Sequence, residues 1–83
     1  MRRNRAQTVL GIFDLLAAGD RKKTEIVYTQ NLNAVVENSI LSRMVERGQV
    51  VWREDARTWQ ITPAGRKARG TLRKSLAEIE EIL

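Results

Sequence analysis

Between residues 31 and 48 the apolar positions are Leu32, Val35, Val36, Ile40, Leu41, Met44 and Val45. Steps of three and four make one stripe on an α-helix and no coherent face on a strand. Asn33 is placed to cap that helix, and Gly48 to end it in the left-handed conformation. Upstream, Ala6, Val9, Leu10, Ile12, Phe13, Leu16 and Ala17 repeat the spacing, so Arg3 to Ala18 is expected to be a first amphipathic helix. Gly19-Asp20-Arg21-Lys22-Lys23 is a turn. Thr24 then caps a short helix from Glu25 to Thr29, with Ile26 and Tyr28 as its buried side chains. Residues 29–32 form the turn into the long helix.

After Gly48 the period changes. Val50-Val51-Trp52-Arg53 and Thr58-Trp59-Gln60-Ile61-Thr62 read as two strands around a loop, Glu54-Asp55-Ala56-Arg57. A four-residue loop sets Arg53 against Thr58, Trp52 against Trp59, Val51 against Gln60 and Val50 against Ile61. One face then gathers Val50, Trp52, Trp59 and Ile61, and the other gathers Val51, Arg53, Thr58 and Gln60, as a half-buried hairpin requires. The tryptophans share a face with Val50 and Ile61, so they are expected in the core rather than stacked on bases. Thr62 and Pro63 open a last helix as N-cap and first helical residue, and it runs to about Leu83. Gly70 lies inside that helix, which implies a bend or the close approach of another backbone.

Short helix, turn, longer helix and hairpin, with helices before and after, give a mainly α chain with a β-hairpin wing (α+β). This is the order of a winged helix-turn-helix, here with a long C-terminal helix. Residues 1–65 are expected to form the DNA-binding domain and residues 66–83 a coiled-coil dimerisation helix.

Eighty-three residues make one small domain, for which a partner commonly supplies part of the buried surface. Cysteine and histidine are both absent, so disulfides, thiol chemistry and the commonest general base and metal ligand are excluded. Glu54-Asp55 lies at a turn, and no acid–base pair stands out. We expect no enzyme, no cofactor, no metal and no membrane span. Met1-Arg2-Arg3-Asn4-Arg5 lacks the apolar core of a secretory signal, which leads us to expect a cytoplasmic protein.

The net charge of +5 is unevenly distributed. Residues 1–24 carry six basic and two acidic side chains, residues 63–77 carry five basic and no acidic ones, and residues 78–83 carry three glutamates. Basic blocks around a near-neutral middle favour a polyanionic partner. With the apolar stripe of the long helix turned inward, Asn33, Ala34, Glu37, Asn38, Ser42 and Arg43 are left facing outward. Asparagine can pair with an adenine edge, and glutamate can accept from a cytosine amino group. Phosphate contacts fall to Arg21, Lys22 and Lys23 and, at the wing, to Arg53 and Arg57. So few cations on the helix itself imply weak sequence selectivity. The alternative from the same residues is a winged-helix scaffold that binds protein.

Leu72, Leu76, Ile79 and Leu83 step by four, three and four, as the seam of a coiled coil does. Arg66, Lys67, Arg69, Arg73 and Lys74 precede Glu78, Glu80 and Glu81, the reverse of what the helix dipole favours. Two such helices side by side and antiparallel set acid against base, so an antiparallel homodimer is expected.

Lys23-Thr24-Glu25-Ile26-Val27-Tyr28, Asn31-Leu32-Asn33, Ile40-Leu41, Met44, Glu46-Arg47-Gly48 and Trp59-Gln60-Ile61-Thr62-Pro63-Ala64-Gly65 occur in that order. Together they resemble an archaeal winged-helix family of small chromatin-associated DNA-binding proteins. Its pattern runs K-T-x-I-x-Y, N-L-[NS], an apolar-rich helix, a basic residue before glycine, then [YW]-x-[LI]-T-x-x-G. The resemblance implies double-stranded DNA as partner, a regulatory or chromatin role with a nucleoid-associated location, and pairing through a C-terminal antiparallel coiled coil. Two positions depart from the pattern: Gln49 replaces an apolar residue, and the long helix carries Glu37 and few cations.

Overall fold

A computed structural model describes residues 4–30 and 34–82, the side chains at 29, 30 and 34 excepted. Its elements are α1 (Arg5–Ala17), α2 (Lys23–Gln30), α3 (Ala34–Glu46), β1 (Val50–Arg53), β2 (Thr58–Ile61) and α4 (Pro63–Ile82). This is the winged helix fold, a helical body with a two-stranded antiparallel wing and a long C-terminal helix.

Local chemistry sets most element boundaries. Asn4 caps α1 through a reciprocal box: its side chain accepts from the Gln7 amide at 2.8 Å, and its own amide donates to Gln7 Oε1 at 3.1 Å. The α2 helix starts earlier than Thr24. The Lys22 amide donates to Glu25 Oε1 at 3.0 Å, and the Glu25 and Ile26 amides donate back to the Lys22 carbonyl. Lys22 therefore occupies the capping position, and Thr24 lies within the first turn. Asn31, Leu32 and Asn33, including the expected cap of α3, lie outside the described residues. At the other end of α3, Gly48 takes φ +69°, its amide donates to Val45 and the Gln49 amide to Met44. These paired bonds close the helix where glycine has no Cβ penalty.

The wing has the expected register: Val50 opposite Ile61, Val51 opposite Gln60, Trp52 opposite Trp59 and Arg53 opposite Thr58. Burial along its inner face fades from the root towards the tip. Val50 and Ile61 are buried and Trp59 half-buried, while Trp52 is exposed. The two indoles meet edge to face with centroids 5.3 Å apart. Trp52 Nε1 donates to Glu54 at 2.7 Å. Arg21 lies along the outer side of β2, with paired backbone bonds of 3.2 and 2.7 Å to Trp59, which adds a one-residue third strand.

The core joins Ile12, Phe13 and Leu16 of α1, Ile26 of α2, Ile40, Leu41 and Met44 of α3, and Val50 and Ile61 of the wing. Burial of each large side chain contributes about 1.5–3 kcal/mol. Ala68 and Leu72 of α4 pack against this core, so Leu72 belongs partly to its own domain. The Arg69 guanidinium donates to Asp14 at 2.7 Å, and Arg73 bonds the same carboxylate. Partial burial pushes the Asp14 carboxyl up, but hydrogen bonds and charge from the two arginines outweigh this and hold it below the ordinary value.

A close backbone approach, one of the two alternatives expected at Gly70, occurs instead at Gly65. A Cβ on Gly65 would lie 2.1 Å from the Gln49 carbonyl oxygen and 2.7 Å from Ile61 Cγ1, whereas one on Gly70 would meet nothing within 4 Å. The α4 helix continues through Gly70. No helix among the described residues is long and apolar enough to cross a membrane.

Candidate nucleic-acid interface

The α3 helix packs on α2 and β1 and exposes one row along its outer side, Val35, Asn38, Ser39, Ser42, Arg43 and Glu46. Their steps of three and four keep them on one face. Of the residues expected on this surface, Asn38, Ser42 and Arg43 are exposed. Asn33 and the Ala34 side chain lie outside the described residues.

Glu37 is not on that surface, which corrects its assignment as a base reader. It is 0% exposed, and neither carboxylate oxygen has a hydrogen-bond partner. Desolvation raises its carboxyl above the ordinary value, opposed in part by the charge of Lys23. The physical reason is rotational. Glu37 precedes Ile40, Leu41 and Met44 by three, four and seven residues, so any rotation of the helix that buries those three turns Glu37 inward too. That spacing was visible in the sequence and outranks its charge. The same rotation turns Val35 outward to 79% exposure and leaves Val36 and Val45 at the margins. Tyr28, expected in the core, is 86% exposed, and Ile26 alone represents α2 there.

The cationic positions flank α3 in the chain. Lys22 and Lys23, at the start of α2, are exposed. Arg21 is half-buried and committed through its backbone to Trp59, while one guanidinium nitrogen donates to the Asp20 carbonyl at 3.2 Å. At the wing, Arg53 is exposed but engaged, 3.5 Å from Asp55 and bonded to Gln60. Arg57 sits at the loop end with φ 53° and an exposed side chain. Among the described residues no group of three or more carboxylates could hold a metal ion.

The sequence profile of the winged helix-turn-helix family matches residues 2–81. This chain belongs to that family. No curated protein matches it in sequence. Among solved structures, the crystal structure of Sso10a-2, a DNA-binding protein from Sulfolobus solfataricus, superposes with a TM-score of 0.85. The match covers 96% of this chain and 85% of that one at 18% identity. At that identity the likeness is one of fold.

Proposed function

We propose that this winged helix-turn-helix chain binds double-stranded DNA through α3, the start of α2 and the wing, as a small archaeal transcriptional regulator or chromatin-associated protein. The observation that carries the reading is the outer row of α3. A solvent-facing helix surface of Asn38, Ser39, Ser42 and Arg43 is chemically suited to base edges, in a family defined by the helix-turn-helix. Exposed Lys22, Lys23 and Arg57 suit phosphate. The DNA-binding description of Sso10a-2 agrees with this. Contacts made mostly to phosphate position the protein without fixing sequence, so selectivity is weak and affinity falls steeply with salt.

The proposal includes an antiparallel homodimer through α4. Ile79 and Ile82 are exposed, the latter at 82%, and Leu76 is half-buried. Ile82 joins the seam read from Leu72, Leu76, Ile79 and Leu83, the last of which lies outside the described residues. Between α1 and α4 runs an open groove of about 800 Å³, floored by Val9, Phe13, Ala68 and Leu72 and edged by Arg5 and Lys67. Such a groove suits the isoleucine-bearing, acidic end of a second α4. Arg69 and Arg73 are engaged by Asp14, so Arg66, Lys67 and Lys74 are the cations that remain for Glu78, Glu80 and Glu81 of another copy.

Electrophoretic mobility shift with random duplex across a salt series tests the DNA reading. Lys22→Ala with Lys23→Ala should weaken binding to all sequences about equally and flatten the salt slope, and unchanged binding removes that segment from the site. Sedimentation equilibrium of Ile79→Asp/Ile82→Asp against the wild type tests pairing. A monomeric wild type at micromolar concentration removes the dimer. Chromosome-wide occupancy then separates regulator from architectural protein, as discrete peaks or as broad coverage.

A further inference from the structure

Val35 is the second residue of α3 and projects its branched side chain into solvent. A single exposed valine is ordinary. Its setting is less so. Among the described side chains of the outer row, the first two turns show Val35, Asn38 and Ser39, followed by Ser42, all uncharged. Glu37, the acidic residue in the first turn, is withdrawn into the core. Among the described side chains, the leading part of the helix therefore offers a neutral surface with Val35 as its most exposed apolar group, Val36 less exposed at its margin, and one carboxamide. In a helix-turn-helix, residues near the start of the second helix are those that touch base edges. The apolar group that B-DNA presents in the major groove is the C5-methyl of thymine, and a carboxamide matches the N6/N7 edge of adenine.

We propose that Val35 is a specificity residue that packs on a thymine methyl, with Asn38 on the adenine of a neighbouring pair, so that the chain favours adjacent A·T pairs. The proposal rests on α3 being the element that enters the groove. Three helical residues rise about 4.5 Å, against about 3.4 Å per base pair, so side chains at 35 and 38 address neighbouring steps. Ser39 and Ser42 can donate or accept and suit any base, which leaves discrimination to Val35 and Asn38.

The test is fluorescence anisotropy on one A·T-rich duplex made with thymine or with uracil, which differ only by the methyl group. A matching G·C duplex is made with cytosine or with 5-methylcytosine. Wild-type protein should bind the uracil duplex about fourfold more weakly for each contacted methyl, the factor that corresponds to about 0.8 kcal/mol per buried methyl-sized group. It should also gain affinity when cytosine is methylated. Val35→Ser should bind the thymine and uracil duplexes alike while keeping the wild-type salt slope. Because position 35 is exposed, its helical circular dichroism should equal that of the wild type. Equal wild-type affinity for thymine and uracil duplexes, with binding still steep in salt, overturns the role of Val35 and leaves DNA binding standing. Absence of binding to every duplex at low salt removes the groove-entering role of α3 and the inference with it.

Discussion

The two ends of α3 follow opposite rules. At its C-terminal end a series of hydrogen bonds ties the chain down. Gly48 closes the helix, Thr62 Oγ1 donates to the Gly48 carbonyl at 2.6 Å and accepts from the Gly65 amide at 3.1 Å, and the Thr62 amide donates to Gln49 at 3.0 Å. Helix, wing and α4 are thereby locked at one point. At the N-terminal end a carboxylate is buried without a partner while a valine faces solvent. Folding stability favours the first arrangement and is reduced by the second. The difference separates the part of the molecule built to hold shape from the part that presents a surface.

Crowding the locked end should have the largest effect. Gly65→Ala places a methyl group against the Gln49 carbonyl, a backbone atom that cannot yield as a flexible side chain would. A loss of about 3 kcal/mol is expected, seen as a fall of roughly 12–24 °C in Tm for a domain of this size. A Tm within a few degrees of wild type would show that the junction can open.

The loose end should respond in the other direction. Glu37→Leu removes the unpaired carboxyl and should stabilise the fold by about 1–3 kcal/mol at neutral pH. The pH dependence follows from the raised carboxyl. As pH climbs above the ordinary glutamate value, the unfolded chain releases this proton before the folded one does, so wild-type stability declines there. Urea unfolding at pH 4 and pH 7 should show that decline in the wild type and a smaller one in Glu37→Leu. Equal pH dependence in both proteins would show that Glu37 is solvated in solution.

The smallest effect sharpens the contrast by repeating one substitution five residues further along α4. Gly70→Ala adds a methyl group into open space in a helix interior and should raise stability by about 1 kcal/mol. Thermal unfolding of the two alanine variants should thus give opposite signs, and destabilisation at Gly70 would mean that something in solution packs closely there.

How legible these ends were in the sequence depends on how many constraints met at each residue. The wing register was readable because alternation, loop length and the Val50–Ile61 pairing agree on one answer, and a slip of one residue spoils all three. The stop at Gly48 and the Thr62-Pro63 start were readable for the same reason. The rotation of α3 was harder. Seven apolar positions cover more of the helix circumference than the core can take, so spacing alone leaves the centre of the buried arc undecided. Ile40, Leu41 and Met44 fix it, and Glu37 is carried in against its own preference. Tyr28 was misplaced because α2 has barely two turns, too few for a period to show. The Arg21 bridge left no trace, since a single residue has no alternation to read. Gly65 and Gly70 look alike in sequence and differ only in what the fold brings near them.

That bridge has a consequence for how the wing could be lengthened. Trp59 directs its backbone N–H and C=O to Arg21 and faces Trp52 as a non-hydrogen-bonded pair whose indoles meet edge to face, so the hairpin is held from both flanks at its middle. Beyond Trp59 only the Arg53–Thr58 pair and the loop Glu54–Arg57 project without a flanking strand. Residues inserted as matched pairs at the tip keep the inward and outward faces in phase. One inserted between Trp59 and Thr62 would shift Ile61 out of the core and Thr62 off its cap together. The tip is therefore where a peptide tag or fluorophore could be grafted, with the root of the hairpin carrying it unchanged.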